Sequence, residues 1–195
     1  EGPKGDAELL QASKEIIPRL KQLEASKDWK ENGTKPANVQ SLNGERIASK
    51  GVDVCNYNIE KVFEFLEKED SLAKINPMLL EIKVLHEVKD VYRVNYMQYK
   101  EYGPSPTETL SMSLSSTEKV SPKFTSEPKL AIPHPDVKDV VRGEVYIGGY
   151  IIEKVDETHT RVTYISDADL KGSIPGMVKN KLSEKQAEIA SKVGY

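Results

Sequence analysis

Two strand-like runs followed by one long helical run occupy residues 140–195, and that order at the end of a chain leaves few folds open. Residues 141–153 and 160–166 are rich in β-branched and aromatic side chains, which fit a pleated, half-buried surface. Asp156-Glu157-Thr158-His159 between them is a polar turn, so the runs are expected to pair as an antiparallel hairpin. Asp169-Leu170-Lys171-Gly172 then breaks the strand, Ser173 offers an N-cap, and Pro175 falls in the first helical turn, where its missing N–H costs nothing. Ile174, Val178, Leu182, Gln186, Ile189 and Val193 recur at steps of four or three and make one stripe of an amphipathic helix. Such a helix would run roughly 30 Å, enough to cross a whole curved sheet. Gln186 is the polar member of the stripe. It either sits at the edge and reaches water or faces a cavity and bonds a ligand.

The residues upstream supply the rest of a sheet and its covering helices. Leu9, Leu10, Ser13, Ile16, Ile17, Leu20 and Leu23 give a helix over 6–25, with a kink or break expected at Pro18. Trp29 reads as a core or lid aromatic. Runs 39–42 and 46–49 flank Asn43-Gly44, a hairpin signal because both residues accept positive φ, and 51–55 adds a third strand. Asn58 can cap a helix carrying Ile59, Val62, Phe63 and Leu66 on one face, and Asp70-Ser71 restarts a shorter one that ends before Pro77. Leu80, Ile82, Val84 and Val88 form the apolar face of the next strand, with His86 as a core or rim residue. In 92–99, Tyr92, Val94, Tyr96 and Gln98 share one face and Arg93, Asn95, Met97 and Tyr99 the other, both mixed. Residues 110–114 alternate strictly, with either Met112 or Ser113 facing in, and 123–132 gives a further strand before a proline-bounded loop from Pro133 to Val140.

The whole reads as one α+β domain over 1–195, with 1–5 a linker or expression remnant. Lys and Arg number 28 against 31 Asp and Glu, a net charge of -3, which argues against a nucleic-acid surface. The lone Cys55 cannot form an internal disulfide and points to a reducing compartment. No apolar run approaches the roughly 18 residues that would span a bilayer. A cytoplasmic monomer is the expectation. No Cys/His cluster at metal spacing, glycine-rich phosphate loop or Gly-x-Ser-x-Gly elbow is present, so no metal or cofactor is implied. His134 with Asp136 is a weak catalytic pairing, and Asp167 and Asp169 read better as residues shaping a turn.

The runs VRGEVYIGGYII and TRVTYISDADLKGSIPGMVKNKLSEKQA closely resemble the C-terminal half of START domains, the steroidogenic-acute-regulatory-related lipid-transfer family. The resemblance rests on the Val141-Arg142 pair, the turn from Asp169 to Pro175 and the helix that follows. It implies a helix-grip fold: a curved antiparallel sheet wrapped around a long C-terminal helix, with an apolar tunnel between them. Two departures stand out. Ile75-Asn76-Pro77 replaces a family Trp-Asn-Pro, and Thr107-Glu108-Thr109 replaces Arg-Asp-Phe/Tyr, so the buried arginine–acid pair of the sterol-binding branch has no counterpart.

By that resemblance Tyr96 faces the tunnel. The polar contacts to a ligand are expected from Tyr96, Gln98, Tyr146, Tyr164 and Gln186, and the apolar wall from Val94, Met112, Ile165, Met177, Val178 and Leu182. Arg142 either meets a phosphate or joins a surface ion pair with Glu144 and Glu153. The expected function is non-enzymatic binding and transfer of one lipid, a phospholipid, sphingolipid or fatty-acid-like molecule rather than a sterol, with transient contact at a membrane. Gly172 would be the hinge of the gating helix and loop 132–139 its partner. The rivals are a helix-grip cyclase or hydrolase using His134 or Asp167, and a lipid-sensing regulatory module.

Overall fold

The computed structural model describes residues 6–31, 40–41, 47–88, 92–100, 107–114, 120–124, 138, 140–169, 171 and 176–193. Helix α1 (Asp6–Glu24) opens the chain and runs through Pro18 without a break, correcting the expected interruption. Pro18 is exposed, so water can take the carbonyl that its ring leaves without a donor. Two short strands, β1 (Lys30–Glu31) and β2 (Gln40–Ser41), lead to β3 (Ile47–Cys55). The two runs separated in the sequence reading are thus a single nine-residue strand, and β2 pairs with it antiparallel as a hairpin should. Asn43-Gly44 lies outside the described residues.

Helix α2 (Ile59–Glu67) starts where expected, with the Asn58 side chain accepting from the Lys61 N–H at 3.0 Å. Its Ile59, Val62 and Leu66 are buried, and α3 (Glu69–Ile75) follows directly. Strands β4 (Leu79–Val88), β5 (Tyr92–Tyr99) and β6 (Thr107–Leu114) then form an antiparallel meander. β4 departs from its expected face. Register shifts at Leu79/Glu81 and Val84/His86 reset the alternation, and Leu80 and Val84 are exposed. Strand β7 (Val120–Phe124) begins earlier than the 123–132 run suggested, and it tolerates Pro122 because it is an edge strand.

The C-terminal third contains β8 (Val141–Arg142), β9 (Glu144–Lys154), β10 (Thr160–Asp169), helix α4 (Gly176–Ala187) and a closing 3-10 segment, Glu188–Lys192. The helix is shorter than the stripe implied because its last turn tightens. The strands form a six-stranded sheet in the order β1-β2-β3-β10-β9-β7 and a four-stranded one in the order β4-β5-β6-β8. Pairing is antiparallel except for the short β6–β8 contact, which is parallel. One apolar cluster joins both sheets to α2, α3 and the 3-10 segment, drawing in Leu66, Met97, Tyr150, Val162 and Ile189.

The β9–β10 turn is held by one carboxylate. Asp156 accepts from the Thr158 N–H at 2.8 Å, the Thr158 hydroxyl at 3.0 Å and the His159 N–H at 2.9 Å, and the His159 ring lies 2.8 Å from its other oxygen. The Thr158 N–H, then the His159 side chain, lower the Asp156 pKa from 3.8 to about 2. A depressed folded-state pKa contributes stability that is full above 3.8 and is lost as pH falls through about 2. Asp156→Asn should therefore melt below the wild type at neutral pH, with the gap closing across that acid window; thermal melts at a series of pH values check this.

Candidate functional site

The site is assembled where α4 and its 3-10 continuation lie on the inner face of β3 and β10. Small residues on β3 permit the approach. A Cβ placed on Gly51 would fall 1.9 Å from the backbone oxygen of Ala187, so helix backbone rests directly on strand backbone there. Gly51 pairs in register with Tyr164, which pairs in turn with Tyr150. The two tyrosine rings stand 4.8 Å apart at 42°, a tilted contact favoured by aromatic quadrupoles. The Tyr164 hydroxyl donates to the Gln186 carboxamide oxygen at 3.3 Å. Burial, with Tyr164 and Tyr99 nearby, pushes the Tyr150 pKa well up, and burial does the same to Tyr164 against a lowering hydrogen bond from Ser166.

Of the expected polar contacts, Tyr164 and Gln186 meet here. Leu182 is buried on the same helix, Ile189 in the 3-10 segment and Val193 just beyond it. Tyr96 and Gln98 lie on the other row of β5 from Met97 and Tyr99. Met97 is 1% exposed within the cluster of Tyr150 and Tyr164, and Tyr99 packs against that cluster, so the inward row of β5 is theirs. Tyr96 looks the opposite way, with the Lys83 ammonium 5.9 Å from its ring. Asn95 is buried on the same row as Met97. Ile165 lies on the other face of β10. It alternates with Tyr164 and shares its face with Asp167, beneath α1, where Ile16 and Leu20 are buried.

Tyr146 sits, half-buried, at the register shift of β9, near Lys171, whose pKa is raised first by hydrogen bonding to Asp169 and then to Glu144. Arg142 is half-buried and its backbone pairs in register with Glu108. Val94 and Met112 are register partners between β5 and β6, and Met177 and Val178 lie in the first turn of α4; their side chains fall outside the described residues. So do His86, His134, Asp136, Gly172, Ser173 and Pro175. Sequence reasoning missed Ser49, Gly51, Ser166 and Ser183. The small residues of β3 opposite Tyr164 were the available signal, since only a strand without bulk can seat a helix.

On the outer face a hollow of about 410 Å³ opens between α1 and β9–β10, lined by Arg19, Gln22, Leu23, Ser26, Ile147 and Asp167. Asp167 is 7% exposed. The acid that an enzymatic reading would use is thus separated from the tyrosine pair by the sheet. Among the described residues no group of His, Cys, Asp and Glu could hold a metal ion, and no helix is long and apolar enough to cross a membrane.

Residues 129–192 match the START domain family model, the stretch holding the Val141-Arg142 pair, the turn and the closing helix. No curated protein matches the chain. Among solved structures, human StAR-related lipid transfer protein 5 is 16% identical over 94% of this chain and 92% of its own, with a TM-score of 0.77. Human STARD10 is 19% identical over 92% and 79%, with a TM-score of 0.69. A STAR-related lipid transfer protein from Xanthomonas axonopodis is 16% identical over 85% and 96%, at 0.66. At such identities the likeness establishes the fold, a START-like helix grip, as the closing hairpin and helix implied.

Proposed function

We propose that this START-like chain binds one lipid molecule between its closing helix and its sheet and transfers it between membranes without chemical turnover. The observation that carries the reading is a polar seam, Tyr164 to Gln186, set between helix and sheet beside the apolar cluster. Each methylene moved out of water gains about 0.8 kcal/mol, so an acyl chain supplies most of the affinity. A head group left without partners in such a layer would cost roughly 1 to 3 kcal/mol, and the seam offers those partners. The matching family model and the names of the similar structures support a lipid as the ligand.

A phospholipid, sphingolipid or fatty-acid-like ligand fits better than a sterol. Asp167 is the one buried charged side chain among the described residues, and it lies outside the layer, so no buried arginine–acid pair lines the inner face there. The closing helix is the gate, it opens in transient contact with a membrane surface, and the protein works as a cytoplasmic monomer. Asp167 lying beneath α1 speaks against the enzymatic alternative.

Native mass spectrometry with lipid extraction tests the reading. The expected result is one co-purified or vesicle-acquired lipid per chain and its delivery to acceptor vesicles. A protein that takes up no lipid from mixed vesicles would overturn it, and tight uptake without delivery would favour a lipid sensor. A disulfide joining α4 to β3 should stop delivery; unimpaired delivery would remove the gate.

A further inference from the structure

Two buried hydroxyls in the grip have no hydrogen-bond partner among the described residues: Ser49 Oγ, with the residue 0% exposed, and Ser183 Oγ, at 5%. Buried polar groups are nearly always paired, so an unpaired one asks for an explanation. These two are not scattered. Ser49 lies two residues before Gly51 on β3 and therefore on the same face, and Ser183 lies one helical turn before Ala187, whose backbone rests on Gly51. Ser49 pairs in register with Ser166, and Gly51 with Tyr164. Two strand positions and one helical turn thus gather Ser49, Ser166, Tyr164, Ser183 and Gln186, all of them neutral.

We infer that the polar end of the ligand is uncharged, a hydroxyl group with an amide or ester as in a ceramide or a diacylglycerol, and that Ser49 and Ser183 bond it. The inference rests on the lipid-binding reading and narrows it. A phosphate or carboxylate buried here would need a cation, and none is buried among the described residues. Lys50 is on the opposite face of β3, donating to the Glu24 carbonyl at 2.9 Å and standing over the Trp29 ring. The next residue along the inner row is Asp53, half-buried, whose carboxylate accepts from the Val54 N–H at 2.8 Å and would repel an anion. The raised pKa values of Tyr150 and Tyr164 mark the same layer as hostile to negative charge.

The test exposes the purified protein to vesicles holding phosphatidylcholine, phosphatidic acid, ceramide and diacylglycerol in equal amounts, then extracts and quantifies what it retains. Ceramide or diacylglycerol should exceed each phosphate lipid by about tenfold, and the S49A/S183A double variant should lose about tenfold of that retention, the equivalent of one to two hydrogen bonds. The same variant without lipid should melt at or above the wild-type temperature, because it sheds two unpaired hydroxyls; serines that merely hold the fold would give the reverse. Preferential retention of a phosphate lipid overturns the inference and leaves lipid binding standing. Neutral lipid held equally by the double variant overturns the assignment of the serines. No lipid of any kind overturns the lipid-binding reading itself.

Discussion

Gly51→Ala is expected to destabilise the protein by roughly 3 kcal/mol, near the upper end of what overpacking usually costs. The added methyl carbon would sit 1.9 Å from the Ala187 oxygen, 2.7 Å from its carbonyl carbon and 2.9 Å from its Cα. These are backbone atoms, so no rotamer change relieves the clash, and the helix must move away from the strand. For a chain of this size about 3 kcal/mol lowers the melting midpoint by roughly 6–12 °C. Lipid retention should fall with it, because the Tyr164–Gln186 bond depends on the same seat. A melting temperature equal to the wild type would mean that helix and strand are not in backbone contact.

Tyr150→Ala is the second large effect. Tyr150 is fully buried, packs on Tyr164 and belongs to the cluster that joins the two sheets to α2 and the 3-10 segment. Removing a ring from such a place costs about 3–5 kcal/mol, partly as lost transfer energy and partly as the cavity left behind. Chemical denaturation would measure it. Tyr150→Phe keeps the ring and should retain most of the stability, so near-equal losses in the two variants would contradict a packing role.

The parts of this fold that were legible in the sequence are those with a strong local signal. The Asn58 cap, the turn around Asp156, the β9–β10 hairpin and the buried Leu182, Ile189 and Val193 all followed from spacing and turn chemistry. What was illegible required a partner from far away in the chain. Both faces of β5 carry polar and apolar residues, so alternation alone cannot choose between Tyr96 and Met97; membership of the buried cluster that includes Tyr150 and Tyr164 puts Met97 on the inner row. Ile165 and Tyr164 are neighbours and must face opposite ways, but α1 covers the outer face, so Ile165 is buried without reaching the site. Register shifts in β4 and β9 reset the phase for Leu80, Val84 and Tyr146, and a single extra residue of that kind has no composition signature. Ser49 and Ser183 escaped notice because a serine on a strand or helix reads as a surface residue until its burial is known.

The bare contact between Ala187 and Gly51 also sets the mechanics of the closing helix. Backbone against backbone leaves no flexible side chain to absorb displacement, and directly beyond it the 3-10 segment buries Ile189 and Ala190 and leads to the buried Val193. The Ala187 end of the helix is therefore its firmly seated end. Any displacement of residues 176–187 that kept this contact would have to pivot about Ala187 and be largest at the opposite end of the helix, on the side of the Lys171 turn that Asp169 and Glu144 tether by ion pairs of 2.8 and 3.2 Å.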